Sequence, residues 1–116
     1  MDIEGIRHRL REFAIEREWE RFHTPKNLAS ALSVEASEVL EIFQWMSGEE
    51  SGQLSPEKRE AAGHELADVF LYLIRLADKL DIDLLKAAEK KLDINASKYP
   101  VHLAKGNAKK YTEFKD

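Results

Sequence analysis

Apolar residues recur at three- and four-residue steps along most of the chain, which is the spacing of an α-helix. One face of the first predicted helix carries Ile3, Ile6, Leu10 and Phe13. We extend this helix to about Phe22. Thr24 and Pro25 then mark a helix start, because the hydroxyl can cap free backbone amides and proline is tolerated at the first helical position. The second helix runs to about Met46.

The pair Ser55-Pro56 repeats this start signal after the polar loop "SGEESGQLSP". It predicts a third helix that ends near Leu80. The segment "VFLYLI" in this helix is apolar nearly all round, so the helix needs neighbours on several sides. We therefore expect either a central position in a bundle or a surface shared with another subunit, and we expect a homodimer or homotetramer.

The segment "DIDLLKAAEKKLDINASKY" predicts a fourth helix, capped by Asp81 or Asp83 and ending before Pro100. Its predicted buried face carries Leu84, Leu85, Ala88 and Leu92. No stretch alternates with the period of a strand. The prediction is an all-α, four-helix bundle over residues 1–100, followed by a basic, weakly patterned and mobile C-terminal tail over residues 101–116.

Composition narrows the class of protein. The chain has 116 residues, of which 43% are hydrophobic, and this is enough for one small domain. A net charge of -4 without a dense Lys/Arg cluster argues against binding a nucleic-acid polymer. The absence of cysteine excludes disulfides and thiolate metal sites. No run approaches the roughly 20 apolar residues that span a membrane, and the first helix mixes Glu with Arg, unlike membrane-surface helices. We expect a soluble cytoplasmic protein.

Two pairs of carboxylates interrupt the apolar faces of the second and third helices. Glu35 and Glu38 lie on or beside the inward stripe of the second helix, three residues apart. Glu65 and Asp68 have the same spacing on the third helix, with Tyr72 one turn further along that face. A single pair of this kind is common on solvated helices. Two pairs on otherwise apolar helices would repel each other strongly unless cations or protons neutralised them.

The pattern therefore predicts a metal site formed by Glu35, Glu38, Glu65 and Asp68. All-oxygen ligation suits Mg²⁺, with Mn²⁺ as a possible substitute, and such ions complete their coordination with substrate phosphates. A diiron site requires Glu-x-x-His on a helix. The residue three positions before His64 is Ala61, so that pattern fails.

These motifs resemble the all-α nucleoside triphosphate pyrophosphatase superfamily, the MazG-like group, whose signature is ExxE on one helix and ExxD on a later one. The stretches "FAIEREWERFHTPKNLASAL", "EVLEIFQW", "ELADVFLYL" and "KKLDINASKYPVHLAKGNAKKYTE" are similar to the dCTP-hydrolysing branch of this group, over about residues 6–113. The resemblance implies Mg²⁺-dependent hydrolysis of dCTP, or of a modified dCTP, to the monophosphate and pyrophosphate. This is a house-cleaning reaction of the nucleotide pool. The four acidic residues would be catalytic, with Glu38 orienting or deprotonating a metal-bound water.

The resemblance also implies a set of substrate-binding residues, namely Trp19, His23, Asn27, Trp45, Tyr72, Lys91 and Asn95. Tryptophans at positions 19 and 45 would enclose the base, although tryptophan also fills cores and interfaces. The histidine and tyrosine would lie against the nucleotide. Lys91 and Asn95 share a helix face and would meet phosphate and sugar or base, unless they are a solvated pair. Asn27 and Asp93 match the pattern without an assigned role.

One position departs from the family pattern. The animal enzymes have a histidine nine residues before the first tryptophan, and this chain has Leu10 there. A related pyrophosphohydrolase with a different base preference therefore stays open as an alternative. A non-catalytic, nucleotide-binding helical module is the other alternative, although such a protein would have little need for four costly acidic residues.

Overall fold

The computed structural model describes residues 1–115. These residues form six α-helices and two short 3₁₀ turns, without a strand. The long helices are α1 (Ile3–Glu16), α2 (Pro25–Phe43), α4 (Pro56–Lys79) and α5 (Leu84–Lys98). The short helices are α3 (Gly48–Ser51) and α6 (Val101–Ala104), and the 3₁₀ turns are Glu20–Phe22 and Tyr111–Glu113. The all-α prediction is confirmed, whereas the prediction of four helices missed the two short ones.

Side-chain caps start the long helices where the sequence predicted. The hydroxyl of Thr24 accepts a hydrogen bond from the Asn27 amide at 3.2 Å at the start of α2. Ser55 caps α4 in the same way, and proline occupies the first turn of both helices. Of the two aspartates proposed for α5, Asp83 is the cap, and its carboxylate accepts from the Lys86 amide at 3.1 Å.

The first helix ends six residues earlier than predicted. Glu18 adopts a left-handed conformation with φ of 55°, and the Trp19 amide donates to the Ala14 carbonyl at 2.8 Å. A second bond joins the Glu18 amide to the Ile15 carbonyl, which completes a Schellman motif. Glycine usually takes this position, so a glutamate gave no stop signal. The turn brings Trp19 back against Phe13, with ring centroids 5.6 Å apart.

Three other segments also differ from the prediction, and no residue of the predicted buried face of α5 is buried. The second helix stops at Phe43, and a turn leads to Met46, whose amide donates to the Phe43 carbonyl at 2.9 Å. The loop that follows contains α3, because Ser47 and Glu50 form a reciprocal capping box. The tail, to which we assigned no regular element, contains α6 and a 3₁₀ turn.

The chain divides into two compact units. Within the first, Met1–Ile82, α4 is the central element and packs most extensively against α2 and next against α1. Few apolar side chains of this unit are buried, and they are Ala14, Leu28, Ala62, Ile74 and Ala77. Because three of the five are alanines, the first unit has a thin core and brings its helices close together.

Ion pairs join α1 to α4 at one end of the first unit. Arg11 donates to Asp78 through Nε at 2.8 Å and through Nη2 at 2.5 Å. The pKa of Asp78 is held below its usual range, first by the hydrogen bond from Arg11 and then by the charges of Arg11, Arg75 and Arg7. This bidentate pair fixes how α1 lies on α4.

The second unit begins at Asp83 and contains α5, α6 and the last 3₁₀ turn. Its aromatic residues pack edge to face: the Tyr99 ring lies 5.7 Å from Phe114 and 6.1 Å from Tyr111. The Lys98 ammonium lies 4.6 Å from the centre of the Tyr111 ring. These contacts give residues 98–114 a small apolar cluster of their own. No helix in residues 1–115 combines the length and the apolar character needed to cross a bilayer.

Candidate metal and nucleotide site

Three of the four predicted metal ligands lie together where α2 packs on α4. One carboxylate oxygen each of Glu35, Glu38 and Glu65 lies within 4.8 Å of the other two. The three side chains are half-buried. The i, i+3 spacing places Glu35 and Glu38 on adjacent turns of α2, and the close packing of the helices brings Glu65 to them. We call these three residues the carboxylate cluster.

Asp68 lies one turn beyond Glu65 and stands at the edge of the carboxylate cluster. It is solvent-exposed and is not one of the three residues within 4.8 Å. Its charge nevertheless contributes to raising the pKa of both Glu35 and Glu65. Asp68 is therefore close enough to act on the carboxylate cluster, and it also faces the cleft described below.

Two members of the carboxylate cluster, Glu35 and Glu65, have a raised pKa and hold protons more tightly than isolated glutamates do. The pKa of Glu35 rises from 4.5 to about 7, first because of a hydrogen bond with Glu38, then because of burial and the charges of its neighbours. The pKa of Glu65 is raised first by a hydrogen bond with Glu38, then by burial and by the charges of Glu38, Asp68 and Glu41. Glu38 is thus the largest single cause of the raised pKa of both Glu35 and Glu65.

Two oxygens of the carboxylate cluster are buried without a hydrogen-bond partner, Oε2 of Glu35 and Oε2 of Glu65. Such orphaned acceptors are rare in folded proteins, because burying an unpaired polar atom costs about 1–3 kcal/mol. A hard divalent cation would satisfy both oxygens and would also remove the repulsion between the carboxylates. The donor set, all carboxylate oxygen, fits Mg²⁺ or Mn²⁺.

Beside the carboxylate cluster lies a cleft of about 490 Å³ between α1, the turn after it and α4. This volume is within the range of about 300–1,000 Å³ that is usual for small-molecule sites. The cleft is lined by Met1, Ile6, Arg9, Leu10, Phe13, Trp19, His23, Asp68, Leu71, Tyr72 and Arg75. Asp68, Tyr72 and Arg75 follow each other on one face of α4, so that face leads from the carboxylate cluster along the cleft.

Sequence reasoning placed several cleft residues and missed others. Trp19, His23 and Tyr72 were predicted to bind substrate, and all three line the cleft. Ile6, Leu10 and Phe13 were predicted to share one face of the first helix. That face forms one wall of the cleft, and Phe13 stays 44% exposed. Their three- and four-residue spacing was visible in the sequence, but apolar periodicity does not distinguish a core from the wall of a cavity.

Of the four other predicted substrate residues, two belong to the first unit and do not line the cleft. The Asn27 side chain donates to the Phe22 carbonyl at 2.9 Å, so it braces the turn before α2. Trp45 is 89% exposed just after α2. Lys91, Asp93 and Asn95 are exposed on α5, in the second unit. The roles of these residues in binding stay predictions.

Comparison with known proteins places these features in a family. The model of the MazG-like family matches residues 30–114, which include the carboxylate cluster and Asp68. The chain belongs to the MazG-like family. The predicted resemblance is thereby confirmed, and the ExxE and ExxD motifs of α2 and α4 are the acidic signature by which it was recognised.

The relatives that this MazG-like chain matches include proteins named as pyrophosphatases. It is 47% identical to dCTP pyrophosphatase 1 from Rattus norvegicus and from Homo sapiens, over 113 residues and 96% of the chain. The match spans 66% of the length of each of these relatives. A pyrophosphatase from Archaeoglobus fulgidus, whose crystal structure has been solved, is 41% identical in sequence to this chain. The two structures match with a TM-score of 0.79, over 84% of this chain and 91% of that one.

The raised pKa of Glu35 predicts an unusual pH dependence of stability in the absence of divalent cations. A carboxyl whose pKa is higher in the folded state stabilises the fold below its unfolded pKa, and this contribution disappears as the pH rises through about 7. We therefore expect Glu35→Gln to stabilise the metal-free protein at pH 8 more than at pH 5. Urea denaturation in EDTA, followed by circular dichroism, measures the difference.

The control is Glu89→Gln, which removes an exposed carboxylate on α5 and should leave the pH dependence unchanged. Adding Mg²⁺ at 100 times its Kd should raise the free energy of unfolding of the wild type by about 2.7 kcal/mol. If the free energy of unfolding had the same pH dependence in the wild type and in Glu35→Gln, the raised pKa of Glu35 would be contradicted.

Proposed function

We propose that this protein is a Mg²⁺-dependent nucleoside triphosphate pyrophosphohydrolase that converts dCTP, or a modified dCTP, to the monophosphate and pyrophosphate. The observation that carries the proposal is the half-buried carboxylate cluster with two orphaned oxygens, beside a cleft of nucleotide size. The names of its relatives in the MazG-like family support the same reaction. Removing nucleotides of this kind from the pool would be a cytoplasmic house-cleaning task.

The position of Asp68 suggests how a nucleotide lies in the site. Asp68 faces the cleft and also acts electrostatically on the carboxylate cluster, so it marks the end of the cleft at which phosphates would lie. The aromatic rings of Phe13 and Trp19 lie at 71° to each other in the cleft wall and can pack against a base. The substrate would thus lie along the cleft-facing side of α4.

The carboxylate cluster would hold Mg²⁺ through Glu35, Glu38 and Glu65, with Asp68 at its edge. When bound there, the cation would neutralise phosphate charge and polarise the α-phosphoryl group. We assign to Glu38 the task of orienting the attacking water and taking its proton, because it has a carboxylate oxygen within 4.8 Å of both other glutamates of the carboxylate cluster. The water oxygen would bond to the α-phosphorus as the bond to the bridging oxygen breaks and pyrophosphate leaves.

We also propose that the protein works as a homodimer or homotetramer. The first unit has only five buried apolar residues, whereas many of its large apolar side chains are exposed. On α4, Leu66, Phe70 and Leu73 are exposed by 57%, 41% and 36%, and their spacing places them in one stripe. A continuous apolar stripe on a long helix is typical of a surface that packs against a second copy.

We expect pyrophosphate release from dCTP in the presence of Mg²⁺ and none in EDTA. Glu38→Gln and Asp68→Asn should lower kcat/KM at least about 100-fold, because each removes charge that holds the phosphates and the cation. A coupled pyrophosphate assay across canonical and 5-modified deoxynucleoside triphosphates measures both activity and base preference. Glu89→Gln serves as the matched control, and circular dichroism checks that each variant folds.

Cytosine nucleotides should lead this screen. Equal turnover of purine nucleotides would contradict the proposed substrate and would favour a relative with another base preference, with Leu10 as the first residue to test. Binding of dCTP without pyrophosphate release would support the alternative of a non-catalytic module.

Sedimentation velocity tests the proposed assembly. We expect the wild type to sediment as a dimer or tetramer, and Leu66→Lys to shift it toward the monomer, because the substitution places a charge in the apolar stripe. Gln53→Lys adds the same charge at an exposed loop residue and should leave the assembly intact. A monomeric wild type at micromolar concentration would contradict the proposal.

A further inference from the structure

Arg75 is a buried cation beside the cleft, and it makes hydrogen bonds to several side chains. It is 4% exposed and lines the cleft. Its Nε donates to Nδ1 of His23 at 3.2 Å, and one terminal nitrogen donates to Glu20. The other terminal nitrogen lies 3.5 Å from Oδ2 of Asp78. Three residues therefore hold the guanidinium in place, so its Nε–H group points at His23.

The contact with Arg75 determines where His23 carries its proton. An arginine side chain has donors only and stays charged, so Nδ1 of His23 must be the acceptor in this bond. A neutral imidazole has one N–H, and it must then be at Nε2. Adding a second proton would place an N–H against the guanidinium N–H. His23 is thus limited to one tautomer by a single, buried neighbour.

The surroundings of His23 favour its neutral form, as the hydrogen bond from Arg75 does. Burial lowers the pKa of His23, and the charge of Arg75 lowers it further; Glu20 opposes this effect and Lys79 adds to it. Asp68 and Arg9 are the other charged groups that line the same cleft. His23 itself lies beside Trp19, with ring centroids 6.1 Å apart. The histidine therefore stays neutral next to the ring that we place against the base.

We propose that Arg75 is a positioning residue, which holds His23 as the Nε2–H tautomer and so gives the cleft a permanent hydrogen-bond donor toward the bound nucleoside. This inference rests on the proposed function. The donor would select an acceptor on the substrate, such as the carbonyl oxygen of a pyrimidine or a sugar oxygen, and would disfavour an amino group at that point. The Nε2–H donor of His23 would thus contribute to substrate specificity, and no local sequence motif indicates it.

Nitrogen NMR of the free protein, labelled with ¹⁵N-histidine, tests the tautomer without any nucleotide. The His23 signals are assigned from a His23→Gln variant. We expect the wild type to show an unprotonated Nδ1 and a protonated Nε2, and Arg75→Met to show mixed tautomers and a higher histidine pKa. Lys79→Met is the matched control: it removes the other cation bound to Glu20, at 3.0 Å, without touching His23, and should leave the tautomer unchanged.

Kinetics with dCTP then test the consequence for binding. Arg75→Met should raise KM about tenfold, the effect of losing one well-placed hydrogen bond, and should change kcat less than about twofold. Arg75→Gln, whose amide can still donate to Nδ1, should restore most of the affinity and the tautomer. Lys79→Met should have wild-type kinetics.

A wild type in which Nδ1 carries the proton would overturn the proposal, even if Arg75→Met does not fold. An unchanged tautomer and an unchanged KM in a folded Arg75→Met variant would also overturn it. A wild type with the expected tautomer and a folded Arg75→Met variant with mixed tautomers, but no pyrophosphate release, would support the role of Arg75 in fixing the tautomer and would overturn the proposed function. The two failures are therefore distinguishable.

Discussion

The repulsion among half-buried carboxylates at the contact between α2 and α4 is the constraint on which the site depends. Packing two helices closely would normally exclude like charges from their interface, because each unpaired charge loses hydration. Here Glu35, Glu38 and Glu65 lie within 4.8 Å of each other, and two of their oxygens have no partner. Without a cation, the carboxylate cluster can relieve this repulsion by binding protons. The pKa of Glu35 accordingly rises to about 7, because of the hydrogen bond with Glu38 first, then burial and the neighbouring charges.

The helix α4 contributes residues both to the carboxylate cluster and to the cleft beside it. Its face carries Glu65 in the carboxylate cluster, Asp68 at the junction, and Tyr72 and Arg75 along the cleft. The bidentate ion pair between Arg11 and Asp78 holds α1 against α4. Because α1 ends early, the following turn directs Trp19 toward α4. In the proposed function, one helix would thus set the distance between the phosphates and the base of the substrate. The thin, alanine-rich core makes this close approach possible, and it leaves apolar surface that a second copy could cover.

The sequence allowed the starts of α2, α4 and α5 and the two acidic pairs to be predicted, because helix caps and an i, i+3 spacing are local features. Thr24, Ser55 and Asp83 are caps recognisable from residue type. The end of α1 could not be predicted, because a glutamate takes the left-handed position that glycine usually marks. The contact from Arg75 to His23 joins residues 52 positions apart, and no periodicity reports such a pair. For the same reason, Ile6 and Leu10 were recognised as one apolar face but not as the wall of a cleft.

The central claim is that the carboxylate cluster binds a divalent cation, and anomalous X-ray diffraction from crystals grown with Mn²⁺ tests it most directly. Our account predicts one or more manganese peaks with carboxylate oxygens of Glu35, Glu38 and Glu65 at about 2.1 Å, the distance typical of small hard cations. With a non-hydrolysable dCTP analogue present, the phosphates should complete the coordination. Carboxylates turned apart into solvent, with no manganese between α2 and α4, would contradict the account.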